Sequence, residues 1–183
     1  MQNQGNTKRR LLLHICCAPC STQVVRVLQQ EFTVTGFFYN PNIYPEEEYQ
    51  IRLATMRQFA TQIGISLFVG GYDSTQWLEA VQGYESEPEG GYRCAICYRF
   101  RLEPTAKQAK DNGFTYFAST LTISPHKSTT VINHIGLELA EKYTVSFYPA
   151  DFKKKDGFKQ SCNLAKEYHL YRQDYCGCKF SIR

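Results

Sequence analysis

The stretch LLLHICCAPC, Leu11–Cys20, limits the fold more than any other. Leu11–Ile15 is apolar apart from His14 and reads as a buried strand. Cys16, Cys17 and Cys20 then arrive within five positions, where that strand should end. A disulfide scaffold, a metal site, a nucleophile and a cysteine-rich core are all open readings of this stretch alone.

The rest of the chain repeats the pattern of a short strand followed by a helix. Further strands are predicted in FTVTGFFYN (32–40), ISLFVGGY (65–72), FTYFAST (114–120) and TVSFYPA (144–150), each rich in β-branched or aromatic residues. Helices are predicted over 20–31, from Pro45 to a stop at Gly64, over 73–84 with Asp73 or Ser74 as cap, over 93–113 with an interruption at Pro104, over 131–143 and over 159–170. Strands alternating with helices imply a parallel, right-handed α/β sheet, Rossmann-like and of the PP-loop kind, flanked by helices. Ligands of such sheets sit beyond the C-terminal strand ends, near the reversal of strand order. Cys16, Asn40, Gly70, Ser119 and Asp151 fall at or just after predicted strand ends, which puts a cysteine-rich metal site on that edge. The 183 residues suit one domain. Residues 1–9 are expected to be a disordered tail, 85–91 (ESEPEGG) a mobile insertion or lid, and 171–183 an extended tail carrying Cys-Gly-Cys.

No stretch approaches the roughly 20 apolar residues that span a bilayer, and the N-terminal apolar run is too short for a signal peptide. A cytoplasmic protein with no membrane partner is expected, a monomer by default. In a reducing compartment structural disulfides are disfavoured, so the clustering of the eight cysteines points to metal binding or redox chemistry. The net charge of +4 is mild, but its basic residues gather at 8–10, 93–101 and 151–159. Lys153, Lys154, Lys155, Arg99 and Arg101 are candidates to grip a polyanion through its phosphates; solvated faces are the plain alternative.

The cysteine groups differ in kind. Cys94 and Cys97 in RCAICYR form a C-x-x-C at a helix start between two arginines, where both the helix N-terminus and the cations favour thiolates. Cys16 and Cys17, or Cys20 in place of one of them, could complete four-sulfur ligation of zinc or of an iron–sulfur cluster; residue type does not separate the two. Cys176-Gly177-Cys178 would close a very small, strained and easily reduced disulfide, suited to redox turnover, with a metal-binding C-x-C as the rival. Cys162, alone in a helix, reads as a core residue, and His14 as a satisfied buried histidine. His126, in SPHKS, is the better histidine for substrate contact or proton transfer. Asp151, at a strand end, could donate a proton or hold a metal.

Taken in order, HICCAPC, GYRCAICYRFRL, TLTISPHKS, DFKKKDGF and YCGC resemble the QueH type of epoxyqueuosine reductase over nearly the whole chain. The resemblance implies reduction of the epoxide of epoxyqueuosine, at the wobble position of certain tRNAs, to the alkene of queuosine, with an external electron donor. It implies Cys16, Cys17, Cys94 and Cys97 as ligands of a [4Fe-4S] cluster and Cys176–Cys178 as a redox-active disulfide. A second, mononuclear metal such as iron is implied beside the cluster, with Cys20 or Asp151 as conceivable ligands; cobalamin is not expected. Two other functions compete. A thiolation or ATP-pyrophosphatase enzyme of similar fold would carry a glycine-rich phosphate loop where this chain has CCAPCS. A non-catalytic, zinc-stabilised RNA-binding module would have no use for Cys176 and Cys178.

Overall fold

Why Leu11–Ile15 is apolar at every position but one is plain from the layers on either side of it. In the computed structural model, which describes residues 8–182, strand β1 (Arg9–His14) occupies the centre of a five-stranded parallel sheet of order β3-β2-β1-β4-β5. Its neighbours are β2 (Phe32–Phe38) and β4 (Tyr116–Ser119), with β3 (Leu67–Val69) and β5 (Ser146–Phe147) at the edges. Leu11, Leu13 and Ile15 point to one face, against Val24, Val25, Met56, Phe59 and Ala165 of helices α1 (Ala18–Leu28), α2 (Glu46–Ile63) and α6 (Gly157–Glu167). Leu12 points to the other face, against Tyr98, Leu102, Ile132 and Leu139 of α4 (Tyr92–Asp111) and α5 (Thr129–Tyr143). A strand covered on both faces has no wet side, so its run of leucines is continuous.

The expected sheet is present, with ends that differ in detail. Arg9 belongs to β1, its guanidinium lying over the rings of Phe32 and Tyr116, so only residues 1–7 of the expected tail lie outside the described residues. α2 stops at Gly64 in the left-handed region (φ 69°), and α3 (Ser74–Ala80) is capped by Asp73, whose carboxylate accepts from Thr75 N at 3.0 Å. Pro104 does not interrupt α4, which runs 20 residues through it. An interior proline costs a helix about 3 kcal/mol; burial of Leu102, Thr105 and Ala106 around it offsets that cost.

Two segments expected to be loose are held. Arg93 Nη1 donates to the carbonyls of Tyr84, Glu85 and Glu87, and Glu87 accepts from Tyr92 N at 2.9 Å, so 85–91 is a tied loop rather than a free lid. Residues 171–182 are not an extended tail but a strap folded back across the C-terminal edge of the sheet. Among the described residues, no helix is long and apolar enough to cross a membrane.

Helix α5 meets β5 with no room to spare. A Cβ at Gly136 would lie 2.4 Å from two ring carbons of Phe147. Gly136→Ala is expected to lower stability by about 1–3 kcal/mol despite alanine's better helix propensity. Denaturant unfolding checks this, and Phe147→Leu in the same chain should recover part of the loss.

A cysteine-lined centre and its cavity

Strand order reverses between β1 and β4, and the loop leaving β1 there and the first turn of α1 carry the first three thiols. Cys17 is the N-cap of α1 with extended backbone, and its sulfur accepts from Cys20 N at 3.4 Å. Pro19 in the first turn gives up no hydrogen bond, because N–H groups there have no helical partner. The sulfurs of Cys16, Cys17 and Cys20 all lie within 4.8 Å of one another, Cys16 and Cys17 at 3.8 Å. Cys16 sits nearest to cationic and hydroxyl groups. Its backbone N–H donates to Thr120 Oγ1 at 3.1 Å, and Thr120 Oγ1 lies 3.4 Å from its sulfur.

The three thiols divide their charge unequally. Hydrogen bonds from the Cys17 and Cys20 thiols hold Cys16 well below the ordinary thiol value, with the Lys127 ammonium adding to the effect. Burial pushes Cys17 up to about 12, and the neighbouring Cys16 and Cys17 sulfurs push Cys20 well above the ordinary range. In the metal-free chain Cys16 is thus the thiol of the triad that ionises most readily.

Cys94 and Cys97 occupy the first turns of α4, one turn apart, so both project near the positive end of its dipole. Gly90 N donates to Cys94 Sγ at 3.2 Å. Cys97 is buried in a small cluster with Trp77, Val81 and Cys178, and burial raises it to about 11. The fourth residue after Cys97 on the same helix face is Arg101. Its side chain is 1% exposed, so it is not a surface residue offered to RNA. Arg101 Nε donates to Cys97 O at 3.3 Å, while Nη2 has no partner among the described residues. Burial disfavours its charge, and the sulfurs of Cys97, Cys176 and Cys16 favour it more, so each cysteine group contributes to the field at this guanidinium.

A cavity of about 270 Å³ opens on these groups, with Cys16, Cys20, Arg101, Lys127 and Cys176 on its wall. The strap forms part of the wall and is gripped from α2. Arg52, paired with Glu48 at 2.6 Å in the interior, donates to the carbonyls of Tyr175 and Cys176 at 3.2 Å each. Tyr171 OH donates to the other Glu48 oxygen at 2.8 Å, and Tyr44 N donates to Gly177 O at 2.8 Å. Gln173 Nε2 reaches Cys17 Sγ at 2.9 Å. The two strap thiols are unlike: Cys176 faces the cavity, whereas Cys178 is buried beside Cys97 and Trp77.

The remaining candidates scatter. His126 is exposed and on the cavity wall. Cys162 is there too, half-buried, its sulfur accepting from Arg172 at 3.5 Å, so it is not simply a core residue. Asp151 is not on the wall; its carboxylate accepts from Thr129 Oγ1 at 3.4 Å and lies 3.8 Å from Lys153 Nζ. Lys153 is used internally, donating to Lys127 O at 3.0 Å and Thr129 Oγ1 at 2.7 Å, which braces the loop that presents Lys127. Arg99 is paired with Glu138 across α4 and α5. Lys154 and Lys155 are exposed. His14 is fully buried: Nε2 donates to Tyr39 O at 3.2 Å and Nδ1 accepts from Ser119 Oγ at 3.1 Å, and burial lowers its pKa to about 4, so it is neutral at pH 7. Sequence reasoning missed Lys127, Arg52, Gln173 and Thr120. Only Lys127 had a signal, as the neighbour of His126 in SPHKS.

A family model described as epoxyqueuosine reductase QueH matches residues 11–183. Relatives carrying that name include one from Streptococcus pyogenes serotype M1, 41% identical over 179 residues, covering 94% of this chain and 70% of the relative. Another, from Staphylococcus epidermidis, is 38% identical over 180 residues, covering 94% and 76%. A third, from Thermotoga maritima, is 39% identical over 176 residues, covering 94% and 90%. Among solved structures, the U34-tRNA thiolase NcsA from Methanococcus maripaludis with its [4Fe-4S] cluster aligns at TM-score 0.60 and 12% identity, over 97% of this chain and 63% of that one. A predicted subunit of tRNA methyltransferase from Methanocaldococcus jannaschii aligns at 0.55 and 15%, over 86% and 76%. At these identities both structures bear on the fold alone, a PP-loop-like parallel sheet.

In the metal-free, reduced chain the thiol chemistry is directly checkable. At pH 7 iodoacetamide is expected to label Cys16 well ahead of Cys17 and Cys97, because the thiolate is the reactive form. As pH rises toward 11 the gap should narrow. Peptide mass analysis reads the order, and equal rates at pH 7 would contradict the preferential ionisation of Cys16.

Proposed function

Because the chain belongs to the QueH family of epoxyqueuosine reductases, we propose that it reduces the epoxide of epoxyqueuosine in tRNA to the alkene of queuosine. The observation that carries this reading is the meeting, on one cavity, of Cys16 and Cys20 from the thiol triad after β1, the cation Arg101 and the strap thiol Cys176. The donor set suits an iron–sulfur cofactor: clustered thiols at two helix N-termini, beside cations that offset thiolate charge. Cys16, Cys17, Cys94 and Cys97 would hold a [4Fe-4S] cluster, leaving Cys20 available to a mononuclear metal beside it. When bound, such a cluster supplies single-electron transfer.

The chain's own residues account for the balance of the reaction. Both epoxide carbon–oxygen bonds break, a carbon–carbon double bond forms, and the oxygen leaves as water. The Cys176 and Cys178 thiols supply two electrons and two protons and close to a disulfide, which an external reductant of the thiol or electron-transfer class reopens. Arg52 fixes the backbone of Cys176, so the cavity-side sulfur keeps its place while its partner turns over. The exposed Lys154 and Lys155 would meet the tRNA backbone.

A zinc-stabilised module is the second reading. Its support is the 3.8 Å separation of the Cys16 and Cys17 sulfurs, close to the roughly 3.8 Å between two ligands of a tetrahedral zinc with bonds of about 2.3 Å. Anaerobic purification with iron and sulfide assays separates the two. The reductase should be coloured and contain labile sulfide; a colourless, zinc-loaded protein would overturn the redox reading. Incubation with epoxyqueuosine tRNA and a reductant should lower the mass of the modified nucleoside by one oxygen. Cys176→Ser should keep the cluster absorbance and abolish turnover, whereas Cys97→Ser should lose the absorbance itself.

A further inference from the structure

Two cations stand on the cavity wall, Arg101 buried and Lys127 half-buried. Arg101 is 1% exposed, and among the described residues neither it nor Lys127 forms an ion pair with a carboxylate. The carboxylates on the same wall, Glu89 and Asp174, are both exposed to solvent. An uncompensated buried charge costs several kcal/mol, and a fold keeps one where an anion is present or forms. The sulfurs offset part of this charge at rest. They do not use the hydrogen-bonding capacity of Arg101, whose Nη2 is buried without an acceptor while its Nε is spent on Cys97 O. Among the described residues Lys127 makes no hydrogen bond through its ammonium, and its loop is braced by Lys153, which takes the Lys127 carbonyl. The buried Arg101 guanidinium and the Lys127 ammonium thus line the same cavity as Cys16 and Cys176.

We propose that the Arg101 guanidinium, with Lys127, receives the epoxide oxygen as its carbon–oxygen bonds break. The inference rests on the reductase reading and adds the group that activates the leaving oxygen. Cleavage of the first carbon–oxygen bond moves an electron pair onto that oxygen, which is a poor leaving group unless it is hydrogen-bonded or protonated. Donors fixed before the reaction at the point where charge develops stabilise the transition state more than the substrate. The oxygen then departs as water with the two protons of the Cys176 and Cys178 thiols, whose two electrons leave the carbons as an alkene; both cations keep their protons throughout.

The experiment compares wild type, Arg101→Ala, Arg101→Lys and Lys127→Met, each reconstituted with iron and sulfide and assayed on epoxyqueuosine tRNA. Iron content, visible spectrum and reduction potential are measured beside turnover. Arg101→Ala is expected to keep its cluster, to lose about 10²-fold or more in kcat with KM little changed, and to regain turnover when free guanidinium ion fills the vacated space. Lys127→Met should lose kcat in the same way, which keeps the test open should Arg101→Ala fold poorly. Unchanged kcat in both Arg101→Ala and Lys127→Met would overturn the proposal. So would loss of the cluster in Arg101→Ala with Arg101→Lys fully active, because the cation would then serve the thiolates alone. If cluster-loaded wild type leaves the epoxide intact, the reductase reading itself fails, and that result does not depend on Arg101.

Discussion

Sulfur charge cannot be gathered at one edge of a buried sheet without something to balance it, and this requirement organises the molecule. The balance comes from backbone as much as from side chains. The N-termini of α1 and α4 both end at the thiols, so the first turns of two helices supply positive potential to them. Thr120, Lys127 and Arg101 supply the rest. The sheet order sets where the first of these starts lies, because α1 leaves β1 where the strand order reverses between β1 and β4. The buried Leu11–Ile15 strand is therefore the fixed platform from which the Cys16 loop is presented.

The centre is assembled from segments far apart in sequence. Arg52 reaches the carbonyls of Tyr175 and Cys176 across 123 and 124 residues, and Gln173 reaches Cys17 across 156. Glu48 spreads its charge over Arg52 and Tyr171, which ties the same helix to the strap twice. A guanidinium held by a carboxylate at one edge and by two carbonyls at the other cannot rotate, so the strap backbone is positioned as firmly as the helix it docks on.

Much of this was legible in the residues. Strand positions, the Gly64 stop, the Asp73 cap and the placing of Cys16 at a strand end follow from local chemistry that packing has no reason to override. What was not legible depends on direction in space. Arg99 and Arg101 look alike in RCAICYRFRL, yet a helix turns the second onto the face that carries Cys97 and the first onto the face that meets Glu138. Lys153, Lys154 and Lys155 are likewise one run in sequence, but the first is consumed by carbonyls and a hydroxyl of a neighbouring loop. The polar strap and the acidic 85–91 loop read as loose because their anchors, Arg52 and Arg93, lie on other elements. Pro104 read as a break because the tertiary contacts that outweigh its local cost cannot be seen along the chain.

Gly177 shows how little freedom the strap leaves to sequence change. Its backbone is in the left-handed region (φ 109°), and a Cβ there would come 2.9 Å from Arg52 Nη1 and 3.1 Å from Ile43 Cγ1. A replacement at this position would strain the turn between the two thiols and at once push against the guanidinium that holds it. Position 177 and position 52 are therefore a single unit of inheritance: any lineage that gave up the glycine would have to find a smaller grip on the strap in the same step, and the spacing of the two sulfurs would drift with it.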